Sequence, residues 1–175
     1  MKTLYITDLD GTFLNSKAEI STASASIINE LTHSGVLFSV ATARTYATVT
    51  DMFKGIFLPC PLVLMNGVTI FDPLKNKILK SNPITEDLAN EIIGAFRRHG
   101  VEPMLYFQNK EVLDIYYCDI SNEYQRDYVS QRINCKTKRF IKSDSPVSID
   151  GRSLVYIVSL DYRDKLQDIF NEITD

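Results

Sequence analysis

The sequence predicts an α/β fold with a doubly wound parallel sheet in its first part and an α+β module after it. Short apolar runs alternate with segments of helical periodicity, which is the order of a parallel sheet with crossover helices. The run Val36 to Ala41 is almost continuously β-prone, as expected of a strand buried on both faces. Polar residues come directly after the predicted strands, where sheets of this kind bind ligands.

The first predicted strand, Leu4 to Ile6, runs into the segment Asp8-Leu9-Asp10-Gly11-Thr12. On an extended backbone residues i and i+2 point the same way, so Asp8 and Asp10 are expected to face one pocket. Two such carboxylates repel each other unless a cation lies between them or one stays protonated. The glycine allows a close approach to a ligand, and the turn's amides can face an anion. This combination indicates magnesium-assisted phosphate chemistry, whereas the plainer interpretation is a strand that ends in an acidic turn.

Two helices are predicted before and after the second strand. Apolar residues at helical spacing predict the first helix over 23–34, with Ser21 or Thr22 as its N-cap. Gly35 is expected to end it. The second helix is predicted from Thr45 to about Lys54.

Thr42 follows the second strand directly. A threonine at a strand-to-helix junction is, taken alone, more often an N-cap than a ligand-binding residue. With Asp8 and Asp10 upstream, a hydroxyl that binds phosphate becomes the favoured interpretation. Arg44 can contact a substrate or lie along the protein surface, and the sequence does not decide between these roles.

Leu62 to Met65 is predicted to be the third buried strand, closed by Asn66-Gly67. This pair is the strongest two-residue signal for a hairpin turn. Asn66 can also reach the substrate side of the pocket. A further hairpin is predicted between 68–71 and 77–79.

From Asn82 onward the pattern changes to an α+β module, so the predicted boundary separates residues 1–82 from 83–175. Thr85 is expected to cap a helix that stops at Gly100. Its buried face is expected to contain four apolar residues: Leu88, Ile92, Ile93 and Phe96. The remaining predicted elements are two paired strands, a polar helix, a strand and a final helix: 104–107, 112–117, 122–131, 153–160 and 164–173. A basic cluster is interpreted as a solvated face: Lys136, Lys138, Arg139 and Lys142.

The composition excludes several classes of protein. A hydrophobic fraction of 45% and a charged fraction of 23% are typical of a soluble globular protein, and the net charge of −3 gives no support for nucleic acid as a partner. No apolar run is long enough to cross a bilayer, and no signal peptide is recognisable, so no membrane partner is expected. The three cysteines lack a CxxC pair and are expected to be free thiols in a reducing cytoplasm: Cys60, Cys118 and Cys135.

The opening segment resembles the first motif of the haloacid dehalogenase superfamily of phosphohydrolases, which reads Asp-x-Asp-Gly-Thr after an apolar strand. The family places a serine or threonine after the second strand, where this chain has Thr42. A related subgroup reads Ala-Thr-Gly-Arg there, and Ala41-Thr42-Ala43-Arg44 departs from it by one residue that leaves the hydroxyl in place. Met65-Asn66-Gly67-Val68 is similar to the Asn-Gly segment of the Cof-type branch, subfamily IIB, which inserts a type C2 cap after the third strand. Residues 83–175 resemble such a cap.

The resemblance implies a magnesium-dependent phosphatase for small phosphorylated metabolites, such as sugar or cofactor phosphates. It implies that Asp8 is the nucleophile that forms an aspartyl-phosphate and that Asp10 is the general acid and base. The Asp8 carboxylate and the Asp10 backbone carbonyl would bind Mg²⁺. The residues implied to bind substrate or phosphate are Leu9, Thr42, Ala43, Arg44 and Asn66. A phosphomutase of the same superfamily and a non-catalytic module that binds phosphate for regulation are the alternatives.

Two family elements that follow the cap have no counterpart in this sequence. These are a lysine that steadies the phosphoryl charge and an acidic Gly-Asp loop that completes the magnesium site; no Gly-Asp pair occurs after Leu14. We therefore expect the chain to be the first part of a longer protein, with half of the core sheet present, and to be inactive by itself. The outer side of the first strand is then expected to form an exposed apolar edge through which chains can associate.

Overall fold

The computed structural model describes residues 3–110, 112–135, 137–145 and 147–174. The chain divides into two compact units, Met1–Asn82 and Pro83–Asp175. Within the described residues, no helix is both long and apolar enough to cross a membrane. The elements of the first unit are β1 (Leu4–Thr7), α1 (Thr22–His33), β2 (Leu37–Val40), α2 (Tyr46–Met52), β3 (Leu62–Leu64), β4 (Thr69–Asp72) and β5 (Lys77–Ser81).

The strands of the first unit bring three of the predicted site residues to one edge of the sheet. β1 pairs in parallel with β2, and a parallel bridge between Ala41 and Val63 connects β2 to β3. β3, β4 and β5 then pair antiparallel. The predicted α/β fold class with a parallel sheet is confirmed. Since β1, β2 and β3 run in the same direction, Asp8, Thr42 and Asn66 all follow strands at the same edge.

Helix α1 begins and ends where the sequence predicts. The Ser21 hydroxyl oxygen accepts a hydrogen bond from the Ser24 amide at 3.0 Å, which caps the N-terminus. Gly35 has a φ of 97°, the left-handed conformation that ends many helices. The apolar face of α1 is only partly covered, because Ile28 is buried whereas Ile27 is 56% exposed.

β1 is also poorly covered. Among the described residues it pairs only with β2, and its three apolar residues are each about half exposed: Leu4, Tyr5 and Ile6. Unpaired backbone groups beside apolar side chains form a surface that favours pairing with other chains.

Asn66-Gly67 lies in the turn between β3 and β4, as the hairpin interpretation predicts, and β4 and β5 form the second predicted hairpin. The second turn is stabilised by Asp72, whose carboxylate accepts hydrogen bonds from the amides of Leu74 (3.0 Å) and Lys75 (3.1 Å).

The elements of the second unit are α3 (Glu86–Arg98), β6 (Met104–Asn109), β7 (Val112–Tyr117), α4 (Glu123–Ser130), β8 (Lys138–Lys142), β9 (Leu154–Val158) and α5 (Arg163–Thr174). The sheet order is β8-β7-β6-β9, and helix α3 packs on it through Ala89 and Ile93, which contact a core that includes Leu105, Phe107 and Leu154.

The second unit differs from the sequence expectations in three details. β8 is a strand parallel to β7, although its basic residues suggested only a solvated face; Lys136 of that cluster lies outside the described residues. Arg139 lies opposite Asp114 in this pairing, and its guanidinium donates to the Asp114 carboxylate on β7, at 2.6 and 2.8 Å. Leu88 is 47% exposed, so the buried face of α3 is narrower than expected. Thr85 occupies the N-cap position without a capping bond from its side chain.

Candidate active site

The ends of β1, β2 and β3 surround a cavity of about 460 Å³, which we call the strand-end pocket. All of its lining residues except Val63, which lies within β3, follow these strands: Asp8, Asp10, Ala41, Thr42, Ala43, Asn66 and Gly67. The structure therefore brings together five of the seven residues that the sequence predicted for the site. The other two are not among the lining residues, since Leu9 is buried and Arg44 forms an ion pair with Asp10.

Asp8 and Asp10 reach this pocket through a turn rather than along a strand. β1 ends at Thr7, and Asp8 is extended, with φ −77° and ψ 164°. The next residues form one wide turn, Leu9–Phe13, closed by a hydrogen bond from the Leu14 amide to the Leu9 carbonyl at 2.9 Å. Asp10 itself keeps extended angles, with φ −72° and ψ 123°, although β1 ends before it, and both carboxylates line the same pocket.

The side chain of Leu9 is fully buried and anchors this turn to the core. Leu9→Ala is expected to lower the free energy of unfolding by about 2–5 kcal/mol, because the lost methyl groups leave a cavity. Urea denaturation measures this loss. Ile27→Ala, at an exposed position of α1, is the control and should change stability far less. Equal effects of the two substitutions would contradict the anchoring role.

Thr42 is fixed by contacts on both sides and is 5% exposed. Its amide donates to the Val63 carbonyl at 3.0 Å, and its hydroxyl oxygen accepts from the Arg44 amide at 3.2 Å. The N-cap alternative is wrong, because the residue that precedes α2 is Thr45. The Thr42 hydroxyl thus lies in a short local turn at the pocket, with its own hydrogen free to be donated.

Asn66 is presented by three consecutive residues in the left-handed region. Met65, Asn66 and Gly67 have φ values of 53°, 56° and 92°. The backbone amide of Asn66 donates to the Thr42 carbonyl at 3.1 Å, and the backbone amide of Met65 donates to the Arg44 carbonyl at 3.1 Å. These bonds tie the β3 end to the β2 end, so that the exposed Asn66 side chain lies beside Thr42.

Arg44 makes a contact that the sequence analysis missed. Its guanidinium forms a two-point ion pair with Asp10, with Nε at 2.7 Å from Oδ2 and Nη2 at 2.6 Å from Oδ1. The hydrogen bonds from Arg44 hold the pKa of Asp10 below its usual value, and the same bonds raise the pKa of Arg44. The two residues are 34 positions apart, and no local pattern in the sequence signals such a pair.

The donor set at the pocket is oxygen-rich. The Asp8 carboxylate and the Asp10 carbonyl are hard oxygen ligands of the kind that Mg²⁺ prefers. Within the described part of the chain, no group of three or more His, Cys, Asp or Glu side chains is placed to hold a metal. The residues present therefore fit part of a magnesium shell, and water and phosphate oxygens would supply the rest.

Comparison with known proteins shows the family to which the chain belongs. Residues 5–175 match the family model described as haloacid dehalogenase-like hydrolase. A protein named as a phosphatase from Buchnera aphidicola subsp. Baizongia pistaciae is 30% identical over 103 residues, which cover 58% of this chain and 38% of that protein. Pyridoxal phosphate phosphatase YbhA from Escherichia coli is 22% identical over 107 residues, which cover 61% of this chain and 39% of that protein. The chain thus spans less than two fifths of the length of these relatives.

The fold is that of a solved structure described as the subclass IIB sugar phosphatase BT4131. The two superpose with a TM-score of 0.69 over 99% of this chain and 64% of that one, at 12% sequence identity. At this identity the similarity establishes the fold alone. Together with the family match, it confirms the resemblance to the haloacid dehalogenase superfamily that the motifs indicated.

Proposed function

Because the chain belongs to the haloacid dehalogenase-like hydrolase family, we propose that the protein is a magnesium-dependent phosphatase for small phosphorylated metabolites. The observation that carries the proposal is the arrangement of Asp8, Asp10 and Thr42 around one pocket of phosphate-accommodating size. A nucleophile, a proton carrier and a hydroxyl donor are the groups that phosphomonoester hydrolysis through a covalent intermediate requires.

In the first step, the Asp8 carboxylate attacks phosphorus and the bond between phosphorus and the leaving oxygen breaks. Asp10 gives its proton to that oxygen, so the product leaves as an alcohol. The negative charge of the bound phosphate favours this protonated form of Asp10 and so opposes the lowering of its pKa by Arg44. In the second step, Asp10 takes a proton from a water molecule that attacks the aspartyl-phosphate. Inorganic phosphate departs and the Asp8 carboxylate is regenerated.

The Thr42 hydroxyl and the amides of Leu9, Asp10 and Ala43 are proposed to hold the phosphoryl oxygens. Thr42 suits this task because its position is fixed by the Val63 and Arg44 bonds, and fixed donors need no rearrangement as charge develops. Asn66 is proposed to contact the substrate from the exposed side of the pocket.

The Asp8 carboxylate and the Asp10 carbonyl would hold Mg²⁺. When bound, the ion supplies positive charge that offsets the repulsion between the nucleophilic carboxylate and the phosphoryl oxygens. This assignment is supported by the oxygen ligands at the pocket and by the family's chemistry.

Residues 1–82 are proposed to be the N-terminal part of the catalytic core, and 83–175 a cap that selects the leaving group. Sugar phosphates and cofactor phosphates are the proposed substrates, since the similar proteins include one named for each class. A cytoplasmic location is proposed, supported by three cysteines that form no disulfide in the structure.

The proposal is tested with the full-length protein and a panel of phosphate monoesters that includes hexose phosphates and pyridoxal phosphate. We expect release of inorganic phosphate with magnesium present. Removal of the ion with a chelator should lower the rate by about 10²–10³-fold, since one electrostatic group of this kind contributes that much. Restored activity on adding magnesium is the control. Binding of the phosphates without any turnover, under conditions that saturate the metal, would contradict the proposal.

A further inference from the structure

The proposed steps use Asp10 but assign no task to the ion pair that it forms with Arg44. We propose that Arg44 is a positioning residue, which holds the Asp10 carboxylate at the strand-end pocket and affects the reaction through Asp10. This inference rests on the proposed function. It differs from the direct binding of phosphate by Arg44 that the sequence suggested.

Asp10 needs such a partner because little else restrains its side chain. The side chain is 55% exposed and lies in the Leu9–Phe13 turn, directly before Gly11, whose φ is 74°. Within the described residues, the hydrogen bonds to its carboxylate both come from Arg44. An exposed carboxylate on a turn samples several rotamers unless a contact selects one.

Arg44 is in turn anchored where the pocket is built. Its amide donates to the Thr42 hydroxyl oxygen at 3.2 Å, and its carbonyl accepts from the Met65 amide at 3.1 Å. Its side chain is only 25% exposed. The backbone from which the guanidinium extends is therefore fixed to the ends of β2 and β3, and the side chain spans from there to the end of β1. Arg44 consequently sets the place of Asp10 relative to Thr42.

The two-point geometry fixes orientation as well as distance. A planar guanidinium that donates Nε to one carboxylate oxygen and Nη2 to the other allows little rotation of the carboxylate. Each oxygen keeps a second lone pair, which can carry the proton that Asp10 gives to the leaving oxygen and later takes from water. Lysine carries the same charge but cannot form this fork.

A double-mutant cycle in the full-length protein tests the inference: wild type, Arg44→Gln, Asp10→Asn and the double variant, with kcat, KM and the inhibition constant of inorganic phosphate measured for each. We expect Arg44→Gln to lower kcat by about 10²-fold, the cost of a misplaced catalytic group. KM and phosphate inhibition should stay within about twofold of wild type. In the Asp10→Asn background the same substitution should change kcat by no more than about twofold, the usual margin of additivity.

Arg97→Gln is the matched control, because Arg97 forms an equivalent fork with Glu102, at 2.9 and 2.7 Å, in the second unit. It should leave kcat unchanged. Arg44→Lys should lose most of the rate although it keeps the charge, and it replaces Arg44→Gln in the cycle should the glutamine variant fail to fold. Weaker phosphate inhibition and an undiminished effect of Arg44→Gln in the Asp10→Asn background would show direct binding and overturn the inference alone. Full activity of Asp10→Asn would instead overturn the proposed function.

Discussion

Asp8→Asn is expected to abolish turnover of every phosphate ester by the full-length protein. The carboxylate is the attacking group, and an amide is too weak a nucleophile to form the acyl-phosphate bond. Among the described residues that line the strand-end pocket, the other carboxylate belongs to Asp10. Asp10 cannot replace Asp8, because its carboxylate is paired with Arg44. The measurement is phosphate release under saturating substrate and magnesium, together with a search for a phosphorylated enzyme intermediate that should be lost in the variant.

Asp51→Asn provides the control for Asp8→Asn. Asp51 is an exposed aspartate on α2 and does not line the pocket, so the variant should retain the wild-type rate. Near-wild-type turnover by a purified Asp8→Asn protein, free of contaminating phosphatase, would remove Asp8 from the mechanism.

Asp10→Asn is expected to lower kcat by about 10²–10⁴-fold, the usual contribution of general acid–base catalysis. Phosphorylation of Asp8 should suffer most with sugar phosphates, whose alkoxide leaving groups need a proton. With p-nitrophenyl phosphate, whose phenolate leaves without one, the first step should be affected much less. Single-turnover kinetics with both substrates measure this difference. An equal loss for the two leaving groups would show that Asp10 does not act as the acid.

The site could be found from the sequence largely because its residues follow strands in recognisable motifs. Asp8 and Asp10 stand four and six residues after the start of β1, and Thr42 stands two after the end of β2. Parallel strands then place these positions at one edge whatever the details of packing. The hairpin at Asn66-Gly67 could also be predicted, because this pair of residues by itself favours a tight turn between two strands.

What the sequence did not reveal depends on contacts between distant residues. The ion pair of Arg44 with Asp10 crosses 34 positions, and its two-point geometry follows only from the folded backbone. β8 was missed because its basic residues suit a solvent-facing edge strand as well as an exposed loop. The exposure of Leu88 shows that apolar periodicity marks a helix reliably but does not establish which apolar side chains are covered.

The left-handed run at Met65, Asn66 and Gly67 has a consequence for engineering. Most non-glycine residues in this conformation cost roughly 1–2 kcal/mol; asparagine tolerates it better, but glycine at position 66 would still relieve some strain. Variants selected only for thermal stability would therefore include Asn66→Gly, which lacks the asparagine side chain that lines the pocket. Thermostable variants selected in this way would lack the substrate contact that we propose for Asn66. Asn66 should be kept in any such selection, and enzymatic activity should be measured together with the melting temperature.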